Sequence, residues 1–280
     1  MGILYIVATP IGNLEDMTYR AVRVLKEVAL IAAEDTRKTR RLLDAYGIKT
    51  PMVSYFEHSK PAKSDYILDF LKDKDIALVS EAGTPGLNDP GYELIVAAIH
   101  NNIRVVSIPG ASVVTVALVA SGLPTDRFLY LGFLPHKSGD RKRFLKSIAE
   151  ERATLLALET PHRLKAALTD ISEVLGNRRV AVCRELTKLH EEIFRGTVSE
   201  ALEYFNAPRG EFTLVIDGQR EVSTPEMTDD IVMRLEKMNH AGMTARAAIG
   251  ELAGATGLPR KKLYQVWLGL SPSSNKKIHQ

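Results

Sequence analysis

The chain has 280 residues, of which 45% are hydrophobic and 25% charged, and its formal net charge is +3. These values are typical of an ordinary soluble globular protein, and the length predicts about two domains. The single cysteine, Cys183, excludes an internal disulfide and favours a reducing compartment, and the weakly basic charge permits a nucleic-acid partner without identifying one.

Membrane insertion and secretion are not indicated by the sequence. No apolar run approaches the roughly 20 residues that span a bilayer. The chain enters a predicted strand at residue 3, so we expect no signal peptide. With the single cysteine, this predicts a cytoplasmic protein without a membrane partner.

The first half of the chain alternates short apolar runs with helical patterns. The predicted strands are 3–8, 29–33, 76–79 and 104–108, with a loop or short strand at 54–59. The predicted helices are 18–27, with Thr18 as N-cap, a segment through Leu42 and Leu43 that stops at Gly47, and then 64–71, 92–100 and 113–121. Because the strands are continuous apolar runs, we expect a parallel sheet covered on both faces. The loops 10–16, 34–37, 80–91 and 109–112 should then lie along one edge of that sheet.

The stretch from residue 76 to residue 91 is the most informative part of the chain. A short apolar strand is followed within a few residues by the turn formers Gly83, Pro85, Gly86, Pro90 and Gly91. Interspersed with them are the polar residues Ser80, Glu81, Thr84, Asn88 and Asp89. A loop that only reverses the chain needs two or three such residues, so this one predicts a ligand site.

After residue 122 the chain is predicted to enter a second α/β domain. Its strands are 128–133, 154–158, 179–183, 192–196 and 211–217, its helices are 144–151, 164–175 and 199–205, and a basic segment at 135–143 precedes the first helix. Strands outnumber helices towards the end, so we expect a mixed sheet with antiparallel strands there.

The C-terminal part is predicted to be helical. A linker at 221–227 leads to helices 228–239, 244–254 and 259–269, and the last two resemble a helix-turn-helix. The last helix carries the side chains Arg260, Lys261, Lys262, Tyr264 and Trp267. They fit RNA contact and the solvated face of a small helical cap equally well. The predicted domains are therefore 1–122, 123–220 and 228–280.

Several common chemistries are excluded by the motifs that the chain lacks. No glycine-rich dinucleotide or P-loop fingerprint occurs, no Gly-x-Ser-x-Gly elbow occurs, and no His/Cys cluster has metal-ligand spacing. We therefore predict no metal site. The rigid Gly/Pro loops that remain would suit a polar ligand recognised mostly by main-chain groups.

Seven motifs together resemble one family. They are YIVATPIGNLED (5–16), AEDTR (33–37), VSEAGTPGLNDPG (79–91), IPG (108–110), GFLP (132–135), ETPHRL (159–164) and RELTK (184–188). This ordered set resembles the tetrapyrrole-methylase superfamily of S-adenosylmethionine-dependent methyltransferases. Within it, the set is similar to the branch that methylates the ribose 2′-hydroxyl of a decoding-centre cytidine in 16S ribosomal RNA.

The resemblance implies two α/β domains with the S-adenosylmethionine cleft between them, a C-terminal helical region, and a homodimer. Transferred motif by motif, the implied cofactor contacts are Pro10, Ile11, Gly12, Gly83, Thr84, Leu87, Ser112, Val113, Glu159 and Leu186. One departure is that Thr84 stands where tetrapyrrole-acting members carry Asp in Gly-Asp-Pro. An acidic contact is lost there, which makes a tetrapyrrole substrate less consistent with the sequence.

The reaction implied is attack of a ribose oxygen on the sulfonium methyl, which a base would assist. The candidate catalytic acids are Glu34, Asp35 and Glu81, although Glu34 and Asp35 could equally pair with nearby cations or cap the next helix. The cations predicted to bind RNA phosphates are Arg37, Lys38, Arg40, Arg41, Lys137, Arg141, Lys142 and Arg143. The partner would be small-subunit ribosomal RNA, either naked or within an assembled 30S subunit. Alternatives are a non-enzymatic RNA- or ribosome-binding protein that keeps the pocket, and a tetrapyrrole methyltransferase.

Overall fold

The protein is described by a computed structural model that covers residues 1–55, 61–220 and 227–270. It divides into two compact units, Met1–Gln219 and Arg220–Gln280. The first unit contains two β-sheets, and the described part of the second consists of three helices. The finer predicted boundaries, at 122 and 228, stay predictions.

The first sheet of the first unit is entirely parallel. Its strands are β1 (Ile3–Val7), β2 (Leu30–Ala33), β3 (Met52–Ser54), β4 (Ile76–Val79) and β5 (Arg104–Ile108). The helices between and after them are α1 (Tyr19–Glu27), α2 (Thr36–Ala45), α3 (Pro61–Phe70), α4 (Tyr92–His100) and α5 (Val113–Ser121). The strand order is β3-β2-β4-β1-β5, and every pairing is parallel. The predicted parallel sheet is confirmed.

Burial explains why these strands are continuous apolar runs. All four residues of β2 and of β4 are buried, and their side chains alternate between two cores. Ile31 and Ala77 point into one core, whereas Leu30 and Ile76 point into the other. The predicted cap of α1 is also confirmed, since the Thr18 hydroxyl accepts a hydrogen bond from the Ala21 N–H at 3.1 Å.

Two predicted elements near β3 need correction. The short strand begins at Met52, two residues before the predicted segment 54–59, and pairs with β2. Residues 56–60 lie outside the described residues. Helix α3 begins at Pro61 rather than residue 64, because proline is well tolerated in the first turn of a helix.

The second sheet is mixed, as predicted. Its strands are β6 (Phe128–Phe133), β7 (Thr154–Glu159), β8 (Arg179–Arg184), β9 (Glu192–Thr197) and β10 (Phe212–Ile216), in the order β6-β7-β10-β8-β9. Its helices are α6 (Ser138–Ser147), α7 (Pro161–Leu175) and α8 (Val198–Tyr204). The β6–β7 pair is parallel, and the β7–β10, β10–β8 and β8–β9 pairs are antiparallel.

Helix α6 was predicted at 144–151, but it begins six residues earlier, at Ser138. Gly139 does not prevent this start, and Asp140 in the first turn suits the positive end of the helix dipole. Residues 138–143 of the basic segment are therefore helical, and Arg141 among them is buried.

Helix α5 joins the two sheets of the first unit. It follows the last strand of the first sheet, yet its residues Val114, Ala117 and Leu118 pack against Leu156, Ala181 and Val215 of the second sheet. The opposite face of the second sheet is covered by α6, α7 and α8. The start of α5 is therefore held between the two sheets.

The described part of the second unit contains α9 (Asp229–His240), α10 (Ala245–Thr256) and α11 (Arg260–Leu270). These helices share a core that includes Leu235, Leu252 and Leu263. Trp267 belongs to this core and is buried, whereas Arg260, Lys261 and Lys262 are exposed. Most of the predicted linker lies at 221–226, outside the described residues. No helix in the described ranges is both long and apolar enough to cross a bilayer.

Candidate active site

The loops that follow the parallel strands meet at one edge of the first sheet, as predicted. Thr9 and Gly83 form a two-way backbone bridge, with N···O distances of 2.8 and 3.0 Å. The backbone N–H of Glu81, after β4, donates to the Glu34 carboxylate, after β2, at 3.2 Å. The loops after β1, β2 and β4 are thereby tied together.

The loop after β1 also approaches the second sheet. A Cβ added at Gly12 would lie 2.4 Å from Lys188 Cγ and 2.8 Å from Thr187 Oγ1, so only glycine fits between the two loops. On the second sheet's side, Glu185 and Thr187 adopt left-handed backbone angles, with φ of 48° and 66°. This close contact brings the loop after β8 against the loop after β1.

A cavity of about 300 Å³ lies between the two sheets. The first sheet contributes loop residues and the start of α5, namely Ile11, Ala82, Gly83, Thr84, Leu87, Asn88, Asp89, Ser112, Val113 and Val114. The second sheet contributes Tyr130, Phe133, Leu158, Glu159, Thr160, Pro161, Cys183, Leu186, Glu211, Phe212 and Thr213. The cavity thus has walls from both sheets.

Eight of the ten residues expected to contact a cofactor line this one cavity. They are Ile11, Gly83, Thr84, Leu87, Ser112, Val113, Glu159 and Leu186. The other two, Pro10 and Gly12, belong to the same loop as Ile11 but do not line it, and Gly12 instead packs against the loop after β8. The fold therefore brings eight residues that are far apart in the chain together around one cavity.

Glu159 is the most deeply buried acid of the cavity wall. Glu159 is 2% exposed. Its carboxylate accepts hydrogen bonds from Arg163 Nη2 and from the Thr160 backbone N–H, both at 2.9 Å. Burial raises the pKa of Glu159, while the Thr160 N–H and Arg163 act in the opposite direction. Its side chain is thus held rigidly at the end of β7, and its charge is compensated.

The three acids predicted as catalytic do not line the cavity. Asp35 caps α2, since its carboxylate accepts from the backbone N–H groups of Arg37 and Lys38 at 2.8 and 3.3 Å, and these bonds lower its pKa. Glu81 is exposed and pairs with Lys38. Burial raises the pKa of Glu34, which accepts from the Glu81 N–H. For Asp35 the capping alternative is confirmed. All three acids lie at the edge of the first sheet, outside the cavity wall.

Asp89 is the acid that the catalytic prediction left out. It lines the cavity, and burial, followed by the neighbouring Glu34, raises its pKa to about 6 despite a hydrogen bond from Ser80. Burial and Asp89 also raise the pKa of Tyr130, which lies on the same cavity wall. Asp89 lies in the 76–91 stretch, which predicted a ligand site, but the sequence alone did not distinguish Asp89 from Glu81 as the acid that lines it.

The predicted RNA-binding cations fall into different surroundings. Arg37, Arg40 and Arg41 are exposed on α2, and Lys38 is exposed but paired with Glu81. On α6 and just before it, Lys137 is exposed, Lys142 pairs with Glu173, and Arg143 pairs with Asp140.

The prediction for Arg141 is wrong. The residue is 2% exposed, and its guanidinium donates from Nε to Asp170 at 2.8 Å and from Nη1 to the carbonyls of Pro135 and His136, each at 3.1 Å. Because α6 begins at Ser138, Arg141 lies on the side of the helix that faces α7. A buried and fully paired guanidinium cannot meet a phosphate.

Within the described ranges, no group of three or more His, Cys, Asp or Glu side chains could hold a metal ion. Cys183 lines the cavity, but it is buried, and burial raises the pKa of its thiol to about 12. That thiol stays protonated at neutral pH and is a poor nucleophile.

Sequence comparison identifies close relatives. Residues 3–202 match the family model of the tetrapyrrole (corrin/porphyrin) methylases. A protein of Synechocystis named ribosomal RNA small subunit methyltransferase I is 48% identical over 275 residues, covering 96% of this chain and 99% of that protein. A protein of Bacillus subtilis with the same name is 43% identical, covering 95% of this chain and 94% of its own length.

Comparison with solved structures shows the same fold in more distant proteins. Uroporphyrin-III C-methyltransferase from Thermus thermophilus, solved in complex with S-adenosylhomocysteine, is 20% identical, with a TM-score of 0.55 over 78% of this chain and 97% of that one. A diphthine synthase is 13% identical, with a TM-score of 0.60 over 78% of this chain and 90% of that one. The fold of the two-sheet unit is therefore shared with these two proteins.

Proposed function

This chain belongs to the tetrapyrrole (corrin/porphyrin) methylase family of S-adenosylmethionine-dependent methyltransferases, and we propose that it methylates ribosomal RNA of the small ribosomal subunit. The proposed acceptor is the ribose 2′-hydroxyl of a decoding-centre cytidine in 16S RNA. The observation that carries the proposal is the single cavity that gathers eight motif residues from both sheets, in a chain 48% identical to a small-subunit methyltransferase over 96% of its length.

The cavity wall fits S-adenosylmethionine chemically. Leu87, Leu158 and Leu186 offer apolar surface for a purine ring, and Thr84 and Ser112 offer hydroxyl groups for its polar edges. Among the residues that the structure describes, no lysine or arginine lines the cavity, which suits a ligand that carries a sulfonium and an ammonium group. When bound, the cofactor supplies an activated methyl group, and the protein has to orient the acceptor towards it.

The proposed RNA surface lies beside the cavity on α2. The exposed cations Arg37, Arg40 and Arg41 begin directly after β2, at the same sheet edge as the loops that line the cavity. Exposed guanidinium groups suit RNA phosphates, which fix orientation without reading sequence. Lys38 can add to this surface only by leaving Glu81, and Lys137 is a separate exposed cation before α6.

The partners proposed with this activity are small-subunit RNA, either naked or in an assembled 30S subunit, and a second copy of the chain in a homodimer. The proposed location is the cytoplasm. The non-enzymatic RNA-binding alternative and the tetrapyrrole alternative are not favoured, because the relatives from Synechocystis and Bacillus subtilis, which align with 96% and 95% of this chain, are named as ribosomal RNA methyltransferases.

The activity is tested by methyl transfer from labelled S-adenosylmethionine to three acceptors: naked 16S RNA, 30S subunits that lack the modification, and a tetrapyrrole. We expect labelled RNA whose modified nucleotide resists alkaline cleavage on its 3′ side, as a 2′-O-methyl group requires. Cofactor binding measured by calorimetry without any RNA methylation would favour the binding-protein alternative. Label in the tetrapyrrole alone would favour the third possibility.

The RNA surface is tested by Arg40→Glu, with Lys26→Glu as the matched control. Both side chains are exposed and both changes alter the charge equally, but Lys26 lies in the last turn of α1, at the opposite edge of the sheet. Loss of one phosphate contact should weaken RNA binding and reduce the slope of log affinity against log salt by about 0.7–1. Equal effects of the two variants would argue against α2 as the RNA surface.

A further inference from the structure

Three carboxylates line the cavity, and they differ in their charge partners. Glu159 pairs with Arg163 at 2.9 Å, and Glu211 pairs with Lys188 at 2.8 Å. Asp89 is half-buried and forms no ion pair with any residue in the described ranges. Glu159 and Glu211 are thus neutralised, whereas Asp89 keeps an uncompensated charge inside the cavity.

Asp89 lines the cavity and is close to charged groups of the sheet edge. Glu34 after β2 and Glu81 after β4 act on it electrostatically, and Lys38 of α2 pairs with Glu81. Tyr130 of β6 is also nearby, and after burial the charge of Asp89 contributes to raising the pKa of its hydroxyl. Two further acids of the sheet edge and one tyrosine of the second sheet therefore surround Asp89.

The backbone at Asp89 is held in place by its neighbour. Asn88 has a left-handed φ of 62°, and its side-chain amide fills the space at Gly132, where an added Cβ would lie 2.4 Å from Asn88 Nδ2. Gly132 lies at the irregularity in the pairing of β6 with β7. The loop after β4 is thus seated on the second sheet one residue before Asp89, which fixes where the carboxylate can point.

We propose that Asp89 is the general base that takes the proton from the attacking ribose hydroxyl. This role rests on the proposed function. It gives to Asp89 the part of catalytic base for which the sequence analysis had named Glu34, Asp35 and Glu81 as candidates.

The ribose O2′–H proton moves to a carboxylate oxygen of Asp89 while an O2′ electron pair forms the new bond to the methyl carbon. The bond between that carbon and sulfur breaks, and its electron pair stays on sulfur, which becomes the neutral thioether of S-adenosylhomocysteine. Asp89 then releases the proton to solvent.

The acid–base properties of Asp89 agree with this role. Burial and then Glu34 raise its pKa to about 6, Glu81 adds to the rise, and the Ser80 hydroxyl opposes it. Most of the group is still ionised at pH 7–8, and the anion is a stronger base than an ordinary carboxylate. The rate of methyl transfer should therefore fall as pH is lowered through about 6.

The test compares the wild type with Asp89→Asn and with the control Asp73→Asn. Asp73 is an exposed acid just before β4, at the opposite end of the strand that leads to Asp89. At saturating cofactor and RNA, we expect Asp89→Asn to lose a factor of about 10²–10⁴ in kcat. Its affinity for S-adenosylmethionine by calorimetry should stay within about twofold, and its residual rate should lose the fall near pH 6. Asp73→Asn should match the wild type throughout.

Other outcomes would overturn the role in distinguishable ways. If Asp89→Asn turns over at the wild-type rate, the role of Asp89 as general base is wrong, but the proposed function is unaffected. The same holds if Asp89→Asn loses as much cofactor affinity as rate, because Asp89 would then be a cofactor contact. The wild-type pH profile needs no variant, and a flat profile between pH 5 and 8 also overturns the role. Absence of RNA methylation by the wild type would overturn the proposed function itself.

Discussion

The two sheets of the first unit build the same cavity in different ways. The first sheet is all parallel, so its loops emerge at one edge, and it lines the cavity with residues of those loops and of the start of α5, such as Ile11, Gly83 and Ser112. The second sheet is mixed, and it contributes side chains from strands and strand ends, such as Tyr130, Glu159 and Thr213.

The difference lies in what holds each wall in place. On the first sheet, loop conformation depends on backbone bridges such as Thr9–Gly83 and on residues that tolerate left-handed angles. On the second sheet, buried ion pairs such as Glu159–Arg163 and Arg141–Asp170 fix the elements around the wall. A cavity of this kind should respond to backbone changes on one side and to charge changes on the other.

The largest expected effect is on the second sheet, from Arg141→Ala. Removing Arg141 leaves the buried Asp170 with the half-exposed Lys142, at 3.4 Å, as its remaining cation, and the carbonyls of Pro135 and His136 each lose a hydrogen bond. Such changes cost about 3–5 kcal/mol of unfolding free energy. The matched control is Arg143→Ala, because Arg143 is an exposed arginine on the same helix, and its loss should change stability by less than about 1 kcal/mol. Denaturant unfolding measures both, and similar values would show that the Arg141 pair does not support this wall.

A smaller effect is expected where the two sheets meet, from Gly132→Ala. Alanine is strained at the left-handed φ of 63°, and its methyl group would clash with the Asn88 amide. We therefore expect the free energy of unfolding to fall by about 2–3 kcal/mol. Gly122→Ala provides the control: φ there is 74°, but a Cβ would meet nothing within 4 Å, so only about 1 kcal/mol should be lost. Thermal unfolding separates the two. If the losses are equal, the contact between Asn88 and the second sheet contributes nothing to stability.

The smallest expected effect is a gain in stability from Asp89→Asn. The pKa of Asp89 is raised to about 6 from its ordinary value of 3.8, so its ionisation opposes folding. This cost is absent below pH 3.8, grows as pH rises towards 6, and is constant above. Since the side chain is only half-buried, we expect Asp89→Asn to gain about 1 kcal/mol at pH 8 and nothing at pH 3.5. A melting-temperature difference that does not depend on pH would contradict this.

The acid residues show where sequence reasoning stopped. Glu34, Asp35, Glu81 and Asp89 all follow parallel strands, and the pattern correctly predicts that they share one sheet edge. Which of them points into the cavity depends on contacts between distant segments. Asp35 is used by the N-terminus of α2, Glu81 by Lys38, and only Asp89 reaches the space between the sheets.

The sequence by itself determined most of the strands, the parallel first sheet and the mixed second sheet. These features follow from apolar periodicity and from turn residues, which act over a few neighbouring positions. The residues expected to line the cavity came from the resemblance of the motifs to a known family. Only the tertiary structure decided that Arg141 is buried against Asp170, that Asn88 fills the space at Gly132, and that Asp89 lines the cavity without an ion pair to any residue in the described ranges. Burial and charge pairing depend on which segments pack together, and that information is not carried by the local pattern of residues.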